Sequence, residues 1–186
     1  MIQVRQSVFE TNSSSIHSIC ISKAKPVLPD AIGFEFGEYG WECGAVSTPN
    51  YIYTAIFIMD EPKRTECFEK LKRIMEKNGI EAAYEEPTFY ESEWGGEVYE
   101  RFDSGYIDHG YELESFIEEL LDNEDLLLRC LFSSESVVYT GHDNMYVEDY
   151  LPCHAADATY YDHDRNQSVP NPYHDPENFE YFLKEN

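Results

Sequence analysis

The chain has 186 residues, is 42% hydrophobic with eleven Phe and fifteen Tyr, and carries a formal net charge of −24. That apolar and aromatic content suffices for a core, which excludes global disorder, and the length fits one domain or a domain with a tail. An acid excess on this scale argues against a broad non-specific grip on nucleic acid, which needs Lys and Arg to displace condensed counterions.

The charge is unevenly placed. Residues 1–78 hold nine Lys/Arg against ten Asp/Glu, whereas residues 79–186 hold four against twenty-seven. Such asymmetry suits docking on a basic surface, including one built to hold DNA or RNA, and equally the plain solubility that excess acid confers. No apolar run approaches the roughly 18–20 residues that cross a bilayer, and the N-terminus lacks the basic and apolar regions of a secretory signal. The expectation is a soluble, cytoplasmic protein. Cysteines at 20, 43, 67, 130 and 153 form no Cys-x-x-Cys pair and read as reduced, mostly buried thiols.

In chain order, Ile2 to Phe9 reads as a strand, Glu10 to Ser15 as a polar turn, and Ile16 to Ser22 as a second strand. Gly33 to Gly44 alternates apolar and acidic residues, as a short strand and turn would. Tyr51 to Met59 is β-branched and aromatic, and its composition and length predict a buried central strand. Asp60 to Asn78 predicts a helix, with Pro62 in its first turn, a Phe68/Leu71/Ile74/Met75 stripe and Asn78-Gly79 as its stop. Its outer face carries six basic residues interleaved with Glu66, Glu69 and Glu76, which reads as a solvated, ion-paired face or, alternatively, a nucleic-acid contact.

Ile80 to Tyr84 predicts a strand, and Glu97 to Phe102 the return of a loop or hairpin. Tyr106-Ile107 predicts a short strand ending at Asp108-His109. Tyr111 to Phe132 predicts a helix interrupted at Asn123, and Ser136 to Thr140 a further strand. Beyond Asp149, prolines at 152, 170, 172 and 176 break regularity, with a short helix expected over Asp175 to Leu183. The fold class is α+β: a mixed sheet of about five strands, two or three packed helices, and an irregular acidic C-terminal segment. The division expected is a domain over 1–150 and an extension over 151–186 packed on it.

The turn at Glu10 to Ser15 has no Gly or Pro and instead gathers Asn12, Ser13, Ser14 and Ser15, flanked by Arg5 and His17. Hydroxyls, an amide, a cation and an imidazole form an anion-binding inventory, although Asn and Ser also stabilise turns with no further duty. Two other polar clusters, Asp108-His109 and His142-Asp143-Asn144, sit at strand ends. If the three meet, His17 or His109 supplies a general acid or base, Asp108 or Asp143 an orienting carboxylate, and Arg5 a cation for an oxyanion. That set suits phosphodiester cleavage or phosphoryl transfer, and a serine activated by His17 is a further option. Cys153, His154, His163 and His174, with Asp162 and Asp164, offer enough ligands for zinc, but their spacing matches no finger pattern. The sequence leaves any cofactor open; the chain has neither a Walker loop nor Gly-x-Gly-x-x-Gly, which disfavours the classical nucleotide-fold enzymes.

Arg5, Val8 to Ser15, His17 and Ser18 follow the pattern Arg-x-x-Val-Phe-Glu-Thr-Asn-Ser-Ser-Ser-x-His-Ser. This resembles the opening signature of a group of small bacteriophage and prophage proteins. A weaker similarity runs through Tyr106 to His109, Leu131-Phe132, and Thr140-Gly141 leading to Asp143-Asn144, with His142 departing from it. The resemblance implies a mobile-element origin and a counter-defence role, such as that of anti-CRISPR proteins. The implied partner is a host nuclease effector or its guide RNA, bound by the acidic half and cut or modified at the Ser/His hairpin. The alternative is a stand-alone phosphoryl-transfer or hydrolytic enzyme acting on a nucleotide or protein side chain.

Overall fold

The computed structural model describes residues 15–40, 43–94, 97–142 and 146–184. The first strand, β1 (Ser15–Ser22), is buried at every residue. Three short strands follow: β2 (Ala31–Phe34), β3 (Glu38–Tyr39) and β4 (Gly44–Val46). The next element corrects the sequence reading. Thr48–Phe57 is a helix, α1, where a buried strand was expected over Tyr51 to Met59. Its residues Tyr51 to Phe57 are each at most 4% exposed, so the run is apolar because the helix is surrounded on all sides. Periodicity does not separate such a helix from a buried strand, and Pro49 in the first turn was the local signal for it.

Helix α2 (Lys63–Lys77) falls where it was expected. It buries Cys67, Leu71, Ile74 and Met75, and Gly79, at φ 71°, takes the left-handed conformation that turns the chain away. Strands β5 (Glu81–Tyr84), β6 (Phe89–Trp94), β7 (Glu97–Phe102) and β8 (Tyr106–Ile107) follow. A 3-10 turn (Gly110–Leu113) then leads into α3 (Glu114–Asp122) and α4 (Glu124–Phe132). The expected break at Asn123 has a simple cause: its side chain accepts a hydrogen bond from the Leu126 amide and caps α4. Strand β9 (Val137–His142) completes this part.

The C-terminal residues are more regular than their prolines suggest. They form a short helix α5 (Val147–Cys153), a hairpin of β10 (Thr159–Asp162) and β11 (Gln167–Pro170), and a last strand β12 (Phe179–Lys184). The helix expected over Asp175 to Leu183 is therefore replaced by a strand. Asp175 caps a turn, with the Asn178 amide donating to Oδ1 and the Phe179 amide to its backbone carbonyl. Beyond it Phe179 to Leu183 pairs with β1, whose ladder groups need a partner on that side.

The strands divide into one four-stranded antiparallel sheet, ordered β12-β1-β9-β4, and four two-stranded pairs. Of these, β2–β5 and β3–β8 are parallel, while β6–β7 and β10–β11 are antiparallel. The α+β class holds, with the strands spread over several small sheets. One face of the large sheet, through Ile19, Ile21 and Val138, joins the core formed with α1, α2, α3 and α4. Phe182 of β12 stacks on Phe116 of α3 at 4.2 Å on that side. The opposite face, through Cys20, Val137 and Tyr139, lies under the residues that follow β9, among them Ala155, Pro172 and Tyr173.

Candidate functional site at one end of the central sheet

Strand β1 carries its polar residues at the end where it begins. Ser15 stands opposite His142 of β9, and His17 opposite Thr140. Ser15 Oγ donates a hydrogen bond of 3.3 Å to the backbone carbonyl of Asp108. Ser15 thus meets His142 in the β1–β9 register and the Asp108 backbone through its hydroxyl, which brings the main chain of the three clusters to one sheet end. Arg5, Asn12, Ser13, Ser14, Asp143 and Asn144 lie outside the described residues.

The placement of Asp108 follows from local backbone rules. Strand β8 runs parallel to β3, and the Asp108 amide donates to the Tyr39 carbonyl at 2.8 Å. Gly40 follows at φ 154°, and a Cβ there would lie 2.5 Å from Asp108 Cβ, so only glycine allows this approach. His109 then takes φ 51°, a left-handed conformation that costs a non-glycine residue about 1 kcal/mol or more and concentrates at functional positions. Its Nε2 lies 3.9 Å from Asp108 Oδ1, and both side chains reach solvent, at 41% and 26% exposure. This pair is an accessible imidazole beside a carboxylate.

His17 is placed differently. It is fully buried on the helix side of the sheet, with Nδ1 2.6 Å from the Tyr51 hydroxyl and the two rings edge to face. Burial, with a smaller contribution from Tyr39 nearby, pushes the Tyr51 phenol well above its ordinary range, so it stays protonated. A buried imidazole held by a protonated phenol orients β1 against α1. His109, not His17, is the accessible imidazole. Tyr39 and Tyr51 were legible in the sequence only as strand residues, and Gly40, set between two aromatics, was the visible hint of a close backbone approach.

The zinc candidates are each engaged separately. Cys153 is buried, His154 Nδ1 lies 2.9 Å from Asp157 Oδ2, His174 Nδ1 lies 3.0 Å from the Ala155 carbonyl, and His163 packs edge-on to Tyr161. Among the described residues no three His, Cys, Asp or Glu side chains are grouped to hold a metal ion.

Electrostatics on the helix side resolve the basic face of α2. Lys63 pairs with Glu114 and, at 3.3 Å, Glu118; Lys70 pairs with Asp122; and Lys77 pairs with Glu124 at 2.6 Å. The lysines recur every seven residues, which puts them on one stripe facing α3 and α4. Arg64 bonds Glu61 at 3.0 Å and lies 4.5 Å over the Phe89 ring, and Arg129 bonds Asp125 and Glu180. Apart from the exposed Arg73, the face is ion-paired within the fold. By contrast Glu81, Glu86, Glu91, Glu93 and Asp103 are exposed along β5 to β7.

Comparison with protein-family models, curated proteins and solved structures returns no match. Among the described residues no helix is long and apolar enough to cross a membrane.

Proposed function

We propose that this chain is an acidic docking protein that binds the basic surface of a nucleic-acid-handling host effector, in the counter-defence role that its N-terminal signature implies. One observation carries the reading. The lysine stripe of α2 and Arg129 of α4 are paired with carboxylates of the same fold, which offsets most of the basic charge there, while the carboxylates of β5 to β7 face solvent. An anionic face of this kind attracts positive surfaces and accelerates encounter with them. The test is binding to an assembled Cas effector–guide complex at rising ionic strength. Affinity falls steeply with salt, and Glu86→Lys with Glu91→Lys and Glu93→Lys weakens it about tenfold or more. Salt-independent binding, or an unchanged affinity in the triple variant, overturns it.

A second reading rests on the convergence at the sheet end. His109 serves as general acid or base, Asp108 orients it, and Ser15 and His142 border the site, in a hydrolytic or phosphoryl-transfer reaction on RNA or a nucleotide. Labelled RNA incubated with the protein, alone and with the effector complex, tests it. Cleavage falls about 100-fold or more in His109→Gln, while the variant keeps its denaturation midpoint. Cleavage that survives the substitution removes His109 from the reaction, and uncut RNA removes the reading.

A further inference from the structure

The sheet face opposite the helices holds a groove of about 260 Å³. Four aromatic rings line it, Tyr139 of β9, Tyr173, Phe179 and Tyr181, together with the carboxylates of Glu135 and Asp175. The register explains the grouping: Cys20 of β1 pairs with Tyr181 on one side and Val137 on the other, so alternate residues of three strands share this face. Tyr173 is brought over it by Asn171, a buried side chain whose Nδ2 donates to the Leu151 and His154 carbonyls and whose Oδ1 accepts from the Tyr173 amide. The Asp175 amide donates to the Tyr181 hydroxyl at 2.6 Å, which fixes that ring too.

Three features select the occupant. The described lining residues include no Lys, Arg or His, and both charged groups are acids. Hydrogen bonds from the Asn178 side chain and backbone hold the Asp175 carboxyl below its usual range, so it is anionic near neutrality. Aromatic faces attract cations, and the remaining wall, from Val137, Ala155 and Pro172, suits a methylene stem. The volume lies below the roughly 300–1,000 Å³ of pockets that enclose drug-sized ligands, and fits a single side chain.

We propose that this groove receives one lysine or arginine side chain of a basic protein partner, and so fixes the register of the docking described above. The inference rests on that docking reading: the acidic β5 to β7 face supplies attraction, and the groove supplies a specific anchor. Bulk charge steers an encounter, whereas a desolvated aromatic pocket slows dissociation.

The test uses ¹⁵N-labelled full-length protein titrated with a capped hexa-arginine peptide and its hexa-citrulline counterpart. Arginine peptide shifts the amides of Tyr139, Tyr173 and Tyr181, and citrulline peptide does not. Tyr173→Leu, at a residue 44% exposed, keeps the fold and weakens binding roughly three- to fivefold, as does Glu135→Gln. The hairpin variant Glu91→Lys with Glu93→Lys weakens overall affinity but leaves the groove shifts at saturation. Arginine binding that leaves the groove amides and both groove variants unaffected overturns the anchor and preserves the docking reading. Equal binding of the citrulline peptide, or no binding of the arginine peptide, overturns both.

Discussion

The two faces of β1 are closed by different physics. On the helix side Ile19 and Val138 are wholly buried within the core that includes α1, α3 and α4, and the polar His17 bonds Tyr51 there through Nδ1. On the other side a smaller apolar contact through Leu151, Cys153 and Ala155 is joined by directed hydrogen bonds: Asn171 to two carbonyls, His174 to Ala155, and the Asp175 amide to Tyr181. Apolar packing fills space without a preferred direction, whereas tethers fix a few points and leave a groove between them. The first arrangement gives the fold its stability. The second leaves a surface able to bind.

Adjacent residues of one strand therefore respond unequally. Ile19→Ala removes a fully buried side chain from a packed core and costs about 3 kcal/mol, within the usual range for such truncations. Cys20→Ala, one position along on the groove side, removes a single sulfur beside open volume and costs about 1 kcal/mol or less. Urea denaturation of the two variants measures the contrast. Equal losses would show that both faces are packed alike.

How much of this was legible in the sequence differs by face as well. Helix α2, the break at Asn123 and the strand from Ser136 were readable because caps, periodicity and short alternation act locally. Helix α1 was not, since complete burial erases the amphipathic signal and leaves a β-rich composition that Pro49 alone contradicts. Strand β12 failed for a different reason: Asp175 is a good helix cap, and only the pairing with β1, about 160 residues earlier, decides that it closes a turn instead. At the site, Ser15, Asp108, His109 and His142 were nameable from strand ends and turns, but their meeting depends on β1–β9 and β3–β8 pairing that no local pattern encodes. His17 was legible as a polar residue on a strand; its burial against Tyr51 was hidden with the helix that supplies the tyrosine.

Alkaline pH probes both faces at once. Burial pushes the Cys20 thiol up to about 11, and those of Cys130 and Cys153 up to about 12, from an ordinary 9.0. A folded-state value raised above the unfolded one means that the unfolded chain ionises first. Stability is intact below pH 9 and falls as pH climbs from 9 towards 11–12, by about 3 kcal/mol for a thiol of this kind. Denaturation midpoints measured from pH 7 to 11 follow this slope. Cys130→Ala, on the helix side, and Cys20→Ala, on the groove side, each make the decline shallower. A midpoint that stays flat to pH 11 would mean that the thiols are hydrated, and the two layers looser than described.

The smallest effect belongs to the ion-pair stripe, and it separates stability from surface charge. Lys70 is 39% exposed and Asp122 67%, so solvent screens their attraction and leaves a pair of this kind worth about 1 kcal/mol or less. Lys70→Ala accordingly lowers stability by less than 1 kcal/mol, and the difference from wild type shrinks further as salt rises from 0.05 to 0.5 M, about 14 Å to 4 Å of screening length. The same substitution releases the Asp122 carboxylate and makes the surface more anionic. If docking on a basic partner is driven by uncompensated acid, Lys70→Ala tightens that binding at low salt while it slightly weakens the fold. Weaker binding would instead identify the lysine stripe as part of the contact, and the pairing with α3 and α4 as an arrangement that opens when the partner arrives.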